Sequence, residues 1–238
     1  MSSTKVAVVL GVGSGLGAAI AHRFAQEGFV VVLMARRKEK LIPIQKEIED
    51  KGGKALSFSV DALLLESIAT AFSEVREQLG NPEVFVYNVG DFQKSGILDA
   101  SPEQFENSWK ANCFGAFLAV QQVLPAMVKQ RQGTILLTGA TAALRGLAQF
   151  SSFAVGKAGL RMLSQSLARE FGPLGIHVAH IIIDGQINTP KFQSTSSHRA
   201  AQELLAPSAI AEIYWQLYRQ DATAWTLELD LRPAVETF

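Results

Sequence analysis

Gly11-Val12-Gly13-Ser14-Gly15-Leu16-Gly17 is the first stretch whose residue types and spacing could do chemistry. It joins an apolar run, Val6–Leu10, to a segment in which Ile20, Phe24 and Ala25 share one helical face before Gly28. Glycines at such a junction let the backbone turn tightly and approach a pyrophosphate without a Cβ clash. The helix that follows offers free N–H groups and the positive end of its dipole to the same phosphates. Gly11, Gly13, Ser14, Gly15, Leu16 and Gly17 are therefore candidate dinucleotide-binding residues. Their spacing is G-x-x-x-G-x-G, not the general G-x-G-x-x-G, and the bland alternative is a tight structural turn.

A second set follows the next apolar run, Phe29–Met34. An acid there would bind a ribose 2′-hydroxyl and mark NAD. The sequence has Ala35-Arg36-Arg37-Lys38 instead, with no acid. The guanidinium groups of Arg36 and Arg37 suit a 2′-phosphate, which favours NADP(H) over NAD(H). A plain solvated helix start is the alternative, but cations oppose the dipole there.

These residues need a scaffold, and the rhythm of the chain supplies one. Short apolar runs at Val6–Leu10, Phe29–Met34, Ala55–Val60, Val84–Tyr87, Thr134–Thr138 and Ile176–Ile183 read as strands. Helical patterns separate them: from Leu16, over Lys38–Lys51, at 62–79, a long region 102–131, and about 152–171. Such alternation gives βαβ units and an α/β, single-domain Rossmann fold: a doubly wound parallel β-sheet of about seven strands, helices on both faces. A helix around Ala209–Tyr218 and an alternating strand, Trp225–Leu231, end the chain. The more polar 190–206 segment, with Phe192 and His198, interrupts the rhythm and reads as a substrate lid.

The composition narrows the partners. The chain has 238 residues, 22 basic and 22 acidic, so its formal charge is zero. That excludes a basic nucleic-acid binder. Hydrophobic residues are 48% of the chain, which excludes disorder. Charged residues are only 18%, against a norm of roughly 25%. This predicts buried apolar surface and favours an oligomer, the alternative being that Phe114, Phe117, Leu118, Val120, Val123, Leu160, Leu163 and Leu167 are all internal core. The sole cysteine, Cys113, permits no intrachain disulfide and fits a reducing, cytoplasmic compartment. His22, His177, His180 and His198 lack metal-ligand spacing, so no metal is expected. The uncharged stretch Val6–Ile20 is broken by glycines, and no membrane span is expected.

With these motifs in order, the sequence resembles the short-chain dehydrogenase/reductase family from Lys5 to about Pro233. Asp61 closes the third strand, where the resemblance implies an aspartate beside adenine. Tyr87-Asn88-Val89-Gly90 is similar to the family's Asn-Asn-Ala-Gly, which adds Asn88 and Gly90 to the cofactor set. Asn112 and Lys157 fall at the family's active-site asparagine and lysine, and the lysine would also bind the nicotinamide ribose. Asp184-Gly185-Gln186-Ile187-Asn188-Thr189 resembles the Pro-Gly-x-x-x-Thr loop at the nicotinamide amide, which adds Gly185, Ile187 and Thr189.

Two departures matter more. The family's tyrosine, the general acid/base, is Phe153 here, and its carbonyl-polarising serine is Ala140. The other tyrosines, Tyr87, Tyr214 and Tyr218, are remote from Lys157 in sequence. Thr141, Ser152 and Asp184 are the substitutes left to weigh, against a capping threonine and a backbone-paired loop aspartate. The leading expectation is an NADP(H)-dependent oxidoreductase with an altered proton relay, acting on an unidentified small molecule. The alternative is a catalytically inactive NADP(H)-binding protein with a sensor or assembly role. Non-redox chemistry such as isomerisation or elimination is third.

Overall fold

The computed structural model describes residues 4–195 and 200–236. The first half runs β1 (Val6–Leu10), α1 (Leu16–Gln26), β2 (Val30–Ala35), α2 (Ile42–Asp50), β3 (Lys54–Ser59), α3 (Leu65–Leu79) and β4 (Val84–Tyr87). The second half runs α4 (Pro102–Trp109), α5 (Gly115–Gln130), β5 (Gly133–Thr138), α6 (Ser151–Phe171), β6 (Ile176–Ile183), β7 (Gln186–Ile187), α7 (Pro190–Thr195), β8 (Leu204–Leu205), α8 (Pro207–Tyr218) and β9 (Glu228–Leu231). Seven strands form one parallel sheet in the order β3-β2-β1-β4-β5-β6-β9. The chain order reverses between β1 and β4, and ligands of open α/β sheets bind at such a switch point, beyond the strands' carboxyl ends.

The side-chain pleat divides the core into two layers. Ala7, Val9, Val31 and Leu33 pack against Ile20 and Phe24 of α1, Ile44 and Ile48 of α2, and Tyr214 of α8. Val6, Val8, Val32 and Phe85 face the other way, onto Phe72 of α3, Val120 and Met127 of α5, and Leu160 of α6. Helices on both faces explain why β1, β4, β5 and β6 are buried along their whole length without alternation.

Several boundaries differ from the sequence reading. The helix expected from Lys38 begins as a 3₁₀ turn, Lys38–Lys40, and α2 starts only at Ile42, where Pro43 fits the first turn. The last strand is shorter than Trp225–Leu231. The Asp221 carboxylate caps a 3₁₀ turn over Ala222–Ala224, and the Trp225 ring stacks on His177 at 4.9 Å, so pairing begins at His180↔Glu228. The 190–206 segment holds α7, a 3₁₀ turn and β8, which pairs with β7 in a separate two-stranded sheet. His198 lies outside the described residues.

The expected long helix, 102–131, is divided by a π-helical turn, Lys110–Phe114. Its full run, Pro102–Gln130, is long and apolar enough to cross a membrane by length and composition, yet its inner face lies in the core beneath the sheet. The π turn is anchored by Tyr87, whose buried hydroxyl donates to the Ala111 carbonyl at 2.7 Å. Such turns insert one residue into a helix and concentrate at functional sites, and this one carries Asn112. Tyr87→Phe should therefore cost about 1–2 kcal/mol of stability. Urea unfolding of the variant checks this, and an unchanged midpoint would contradict the anchoring role.

Candidate functional site

A cleft of about 800 Å³ opens above the carboxyl ends of β1 and β4. Gly11, Gly13, Ser14, Arg36, Arg37, Asp61, Asn88 and Gly90 line it. Gly11 has φ +100°, and a Cβ there would sit 2.5 Å from the Asn88 backbone. The Asn88 side chain closes the contact by donating to the Gly11 carbonyl at 2.9 Å. A Cβ on Gly17 would meet the Gly11 carbonyl at 2.7 Å. Gly13 is different: none of the described residues lies within 4 Å of its Cβ position. Gly11 and Gly17 thus serve the turn, while Gly13 leaves an open cradle. The start of α1, just behind it, has no side-chain cap and no acid in its first turn. That arrangement suits an anion.

Around the cleft, Arg36 and Arg37 are exposed on one wall. Asp61 is held in place, its carboxylate accepting from the Leu63 N–H at 3.0 Å and its own N–H donating to Ser67 at 2.9 Å. The Leu16 side chain turns into the core, so only its backbone could meet a ligand. Gly15 approaches the far loop: a Cβ on it would be 2.7 Å from the Thr189 methyl. That contact links the glycine turn to the 184–189 segment, where Gly185 has φ +145° and Ile187 pairs with Leu205.

Asn112 and Lys157 come together beyond Gly90. A Cβ on Gly90 would be 3.7 Å from the Asn112 carbonyl oxygen and 3.9 Å from Lys157 Nζ. Asn112 is fully buried and donates to the Ser108 carbonyl at 2.9 Å and the Asp91 carbonyl at 3.1 Å. Lys157 donates to the carbonyls of Thr138 at 2.9 Å and Val89 at 3.4 Å. Burial lowers its pKa to about 8, opposed by the neighbouring Cys113, whose thiol is itself pushed up by burial.

The two positions where the family resemblance expects proton-handling groups are apolar. Phe153 is buried on α6, its ring centroid 5.9 Å from Lys157 Nζ, and Ala140 precedes a 3₁₀ turn, Thr141–Ala143. The Thr141 hydroxyl donates to Asp184 at 2.5 Å, and Arg232 lies 3.9 Å from the other carboxylate oxygen. Two of the three weighed substitutes are thus bonded to each other, and the third, Ser152, is buried on α6. All three tyrosines are occupied elsewhere. Tyr87 bonds to Ala111, Tyr214 to Thr138 at 2.7 Å, and Tyr218 to Glu83 at 2.6 Å. Burial raises the pKa of each of them.

Comparison with known proteins decides the family. The model of the short chain dehydrogenase family matches residues 5–200. The chain belongs to the short-chain dehydrogenases. A short-chain dehydrogenase/reductase of Hericium erinaceus is 33% identical over 195 residues, covering 80% of this chain and 77% of that protein. An uncharacterized oxidoreductase of Staphylococcus saprophyticus is 28% identical over 230 residues, covering 96% and 97%. Among solved structures, a short-chain dehydrogenase from Rhodopseudomonas palustris aligns with TM-score 0.84 at 37% identity, covering 96% of this chain and 98% of that one. A metagenomic short-chain oxidoreductase in complex with NADP aligns with TM-score 0.86 at 27% identity, covering 98% and 99%.

In this short-chain dehydrogenase, some residues of interest escaped the sequence reading. Glu39, Lys40 and Glu47 join the cleft because the 3₁₀ turn and α2 fold over it, which the charge run alone did not signal. Arg232 follows β9 and carries no motif. Phe92 packs edge-on against Phe153, with ring centroids 5.3 Å apart, and tilted against Phe150 at 5.1 Å. Phe150 stands one helical turn before Phe153, a spacing that was visible. The glycines divide by role, and this is measurable. Gly17→Ala should cost about 1–3 kcal/mol by overpacking. Gly13→Ala should stay within about 0.5 kcal/mol of the parent. Urea unfolding of both variants checks this; equal losses would contradict the division.

Proposed function

We propose that this short-chain dehydrogenase is an NADP(H)-dependent oxidoreductase with an altered proton relay, Phe153 and Ala140 standing where the family resemblance expects tyrosine and serine. The observation that carries the reading is the open cradle at Gly13 before the uncapped start of α1, facing Arg36 and Arg37 across the cleft. The NADP held by the metagenomic relative supports it. Gly11, Gly13, Ser14, Gly15, Leu16 and Gly17 would receive the pyrophosphate, chiefly through backbone N–H groups. Arg36 and Arg37 would pair with a 2′-phosphate. Asp61 and the Asn88–Gly90 segment would flank the adenosine, and Gly185, Ile187 and Thr189 the nicotinamide amide. When bound, the nicotinamide supplies or accepts a hydride. Lys157 would donate to the nicotinamide ribose with the one N–H left over from Thr138 and Val89. Asn112 would position the Asp91 backbone at the edge of the same pocket.

Proposals on assembly follow the same lines. Of the residues weighed for assembly, Leu118, Val120, Val123, Leu160 and Leu167 are buried in the core, whereas Phe117 is exposed and, with Phe105, Trp109, Val155 and Met162, leaves apolar surface on α4, α5 and α6 that supports a homodimer or homotetramer. The 190–206 segment would act as the lid of the single domain, and the cytoplasm would be its compartment. One observation favours the second reading, a binding protein without turnover: the Thr141 proton is committed to Asp184.

Titration of NADPH fluorescence tests the reading. NADPH should bind at least ~10-fold more tightly than NADH. Replacing Arg36 and Arg37 together with alanine should weaken NADPH about 10–100-fold and leave NADH within about 3-fold. No NADPH binding at millimolar concentration sinks the proposal. The Lys157 ammonium loses its charge as pH rises through about 8, so NADPH affinity should fall between pH 7 and pH 9. Lys157→Met should bind more weakly at pH 7 and lose that dependence; a parallel profile would contradict the role given to Lys157.

A further inference from the structure

We infer that the acceptor is a planar, extensively conjugated dicarbonyl of the quinone class, seated against the aromatic wall of Phe92, Phe150 and Phe153. This rests on the oxidoreductase reading above and adds the substrate class. Two independent observations lead to it. One is the proton inventory of the site; the other is the shape and chemistry of the wall beside it.

Among the described residues the inventory is short, and the Lys157 ammonium is engaged by the carbonyls of Thr138 and Val89 and, in the reading above, by the ribose. Reducing an isolated ketone creates an alkoxide whose conjugate acid is about as weak as water. Such an anion needs a donor in the transition state, and a positioned one is worth about 10²–10⁴-fold. Phe153 and Ala140 have no proton to give. The Thr141 proton already goes to Asp184, and Arg232 lies beside that carboxylate. A quinone makes a different demand. The hydride leaves the nicotinamide C4 of NADPH, which is oxidised to NADP⁺, and forms an O–H bond at one quinone oxygen while the π electrons of that C=O move through the ring to the other oxygen. The product is a hydroquinone monoanion, a phenolate-type oxygen with a conjugate-acid pKa of about 10. Its charge is spread over the ring, and water at the cleft mouth supplies the second proton. Among the described residues, neither Phe153 nor Ala140 offers the acid that an isolated ketone requires, and a quinone does not require it.

The wall supplies the rest. Phe92 is 70% exposed, unusual for a phenylalanine, yet its ring touches both Phe150 and Phe153. It is also held in place. Asn112 bonds to the Asp91 backbone immediately before it, and Ser95 N–H donates to the Gln149 carbonyl at 2.9 Å across the two loops. Gln149 itself adopts φ +69°, a left-handed conformation that a non-glycine residue keeps only where its surroundings hold it. A fixed, exposed ring beside a buried one, two residues from Gly90, offers a face for a flat aromatic molecule rather than a sugar or a small alcohol.

The test uses the full chain with NADPH, anaerobically, on two planar tricyclic probes. These are 9,10-phenanthrenequinone and 9-fluorenone, an isolated ketone. The rate without protein is subtracted. The quinone should show a kcat/KM at least ~10²-fold above the ketone. Phe92→Ala should lower kcat/KM for the quinone about 10-fold, through KM, and Phe92→Tyr should stay within about 3-fold of the parent. Calorimetric titration of phenanthrenequinone into the NADP⁺ complex should report the same loss for Phe92→Ala. Phe92 is exposed, so neither variant threatens folding. Comparable kcat/KM for the two probes, or no effect of Phe92→Ala, overturns the proposal. NADPH binding without reduction of either probe also overturns it while leaving the cofactor site standing. Absence of NADPH binding removes the underlying reading as well.

Discussion

The close approach of Gly11 to Asn88 is the constraint on which the rest of the site depends. A Cβ at Gly11 would lie 2.5 Å from the Asn88 backbone, and the Asn88 side chain bonds back to the Gly11 carbonyl at 2.9 Å. This seam joins the ends of β1 and β4, where the order of the parallel sheet reverses. Because the chain turns so tightly there, α1 can begin directly above the cleft with its N-terminus uncapped. The same seam sends the chain after β4 through Gly90 and Asp91 toward Asn112, Lys157 and Phe92. The proposed cofactor cradle and the proposed substrate wall are two consequences of one contact.

Lys157 shows what the site costs the fold. It is 4% exposed, and burial lowers its pKa to about 8 from an ordinary 10.5. A depression of that size corresponds to roughly 3 kcal/mol against the charged form. The carbonyls of Thr138 and Val89 offset part of this. A buried ammonium is hard to account for as packing. It is easier to account for as a group kept for a ligand. In the proposed reading the chain retains the groups that hold a cofactor, while Phe153 and Ala140 stand where the family resemblance expects a proton relay.

Much of this was legible in the sequence. The apolar strands and their helical connections are read from periodicity, because a sheet covered on both faces leaves no other use for runs such as VAVVL and IHVAHIII. The glycine turn, Arg36, Arg37, Asp61 and Asn88 do converge on one cleft. Boundaries set by side-chain capping were not legible. The Asp221 cap that shortens the last strand, and the π turn anchored by Tyr87, depend on contacts between distant segments. The Thr141–Asp184 bond was likewise hidden, since it joins the ends of two strands across 43 residues of chain. Phe92 gave no signal, because its partners come from another loop.

The central claim is that proton handling, not hydride positioning, separates this protein from an ordinary ketone reductase. Its most direct test is the kcat/KM of the double variant Ala140→Ser with Phe153→Tyr, measured with NADPH on a simple aromatic ketone beside the parent chain. The account predicts a gain of about 10²–10⁴-fold, the worth of a positioned general acid. A double variant that binds NADPH as the parent does and gains no ketone reduction would contradict it.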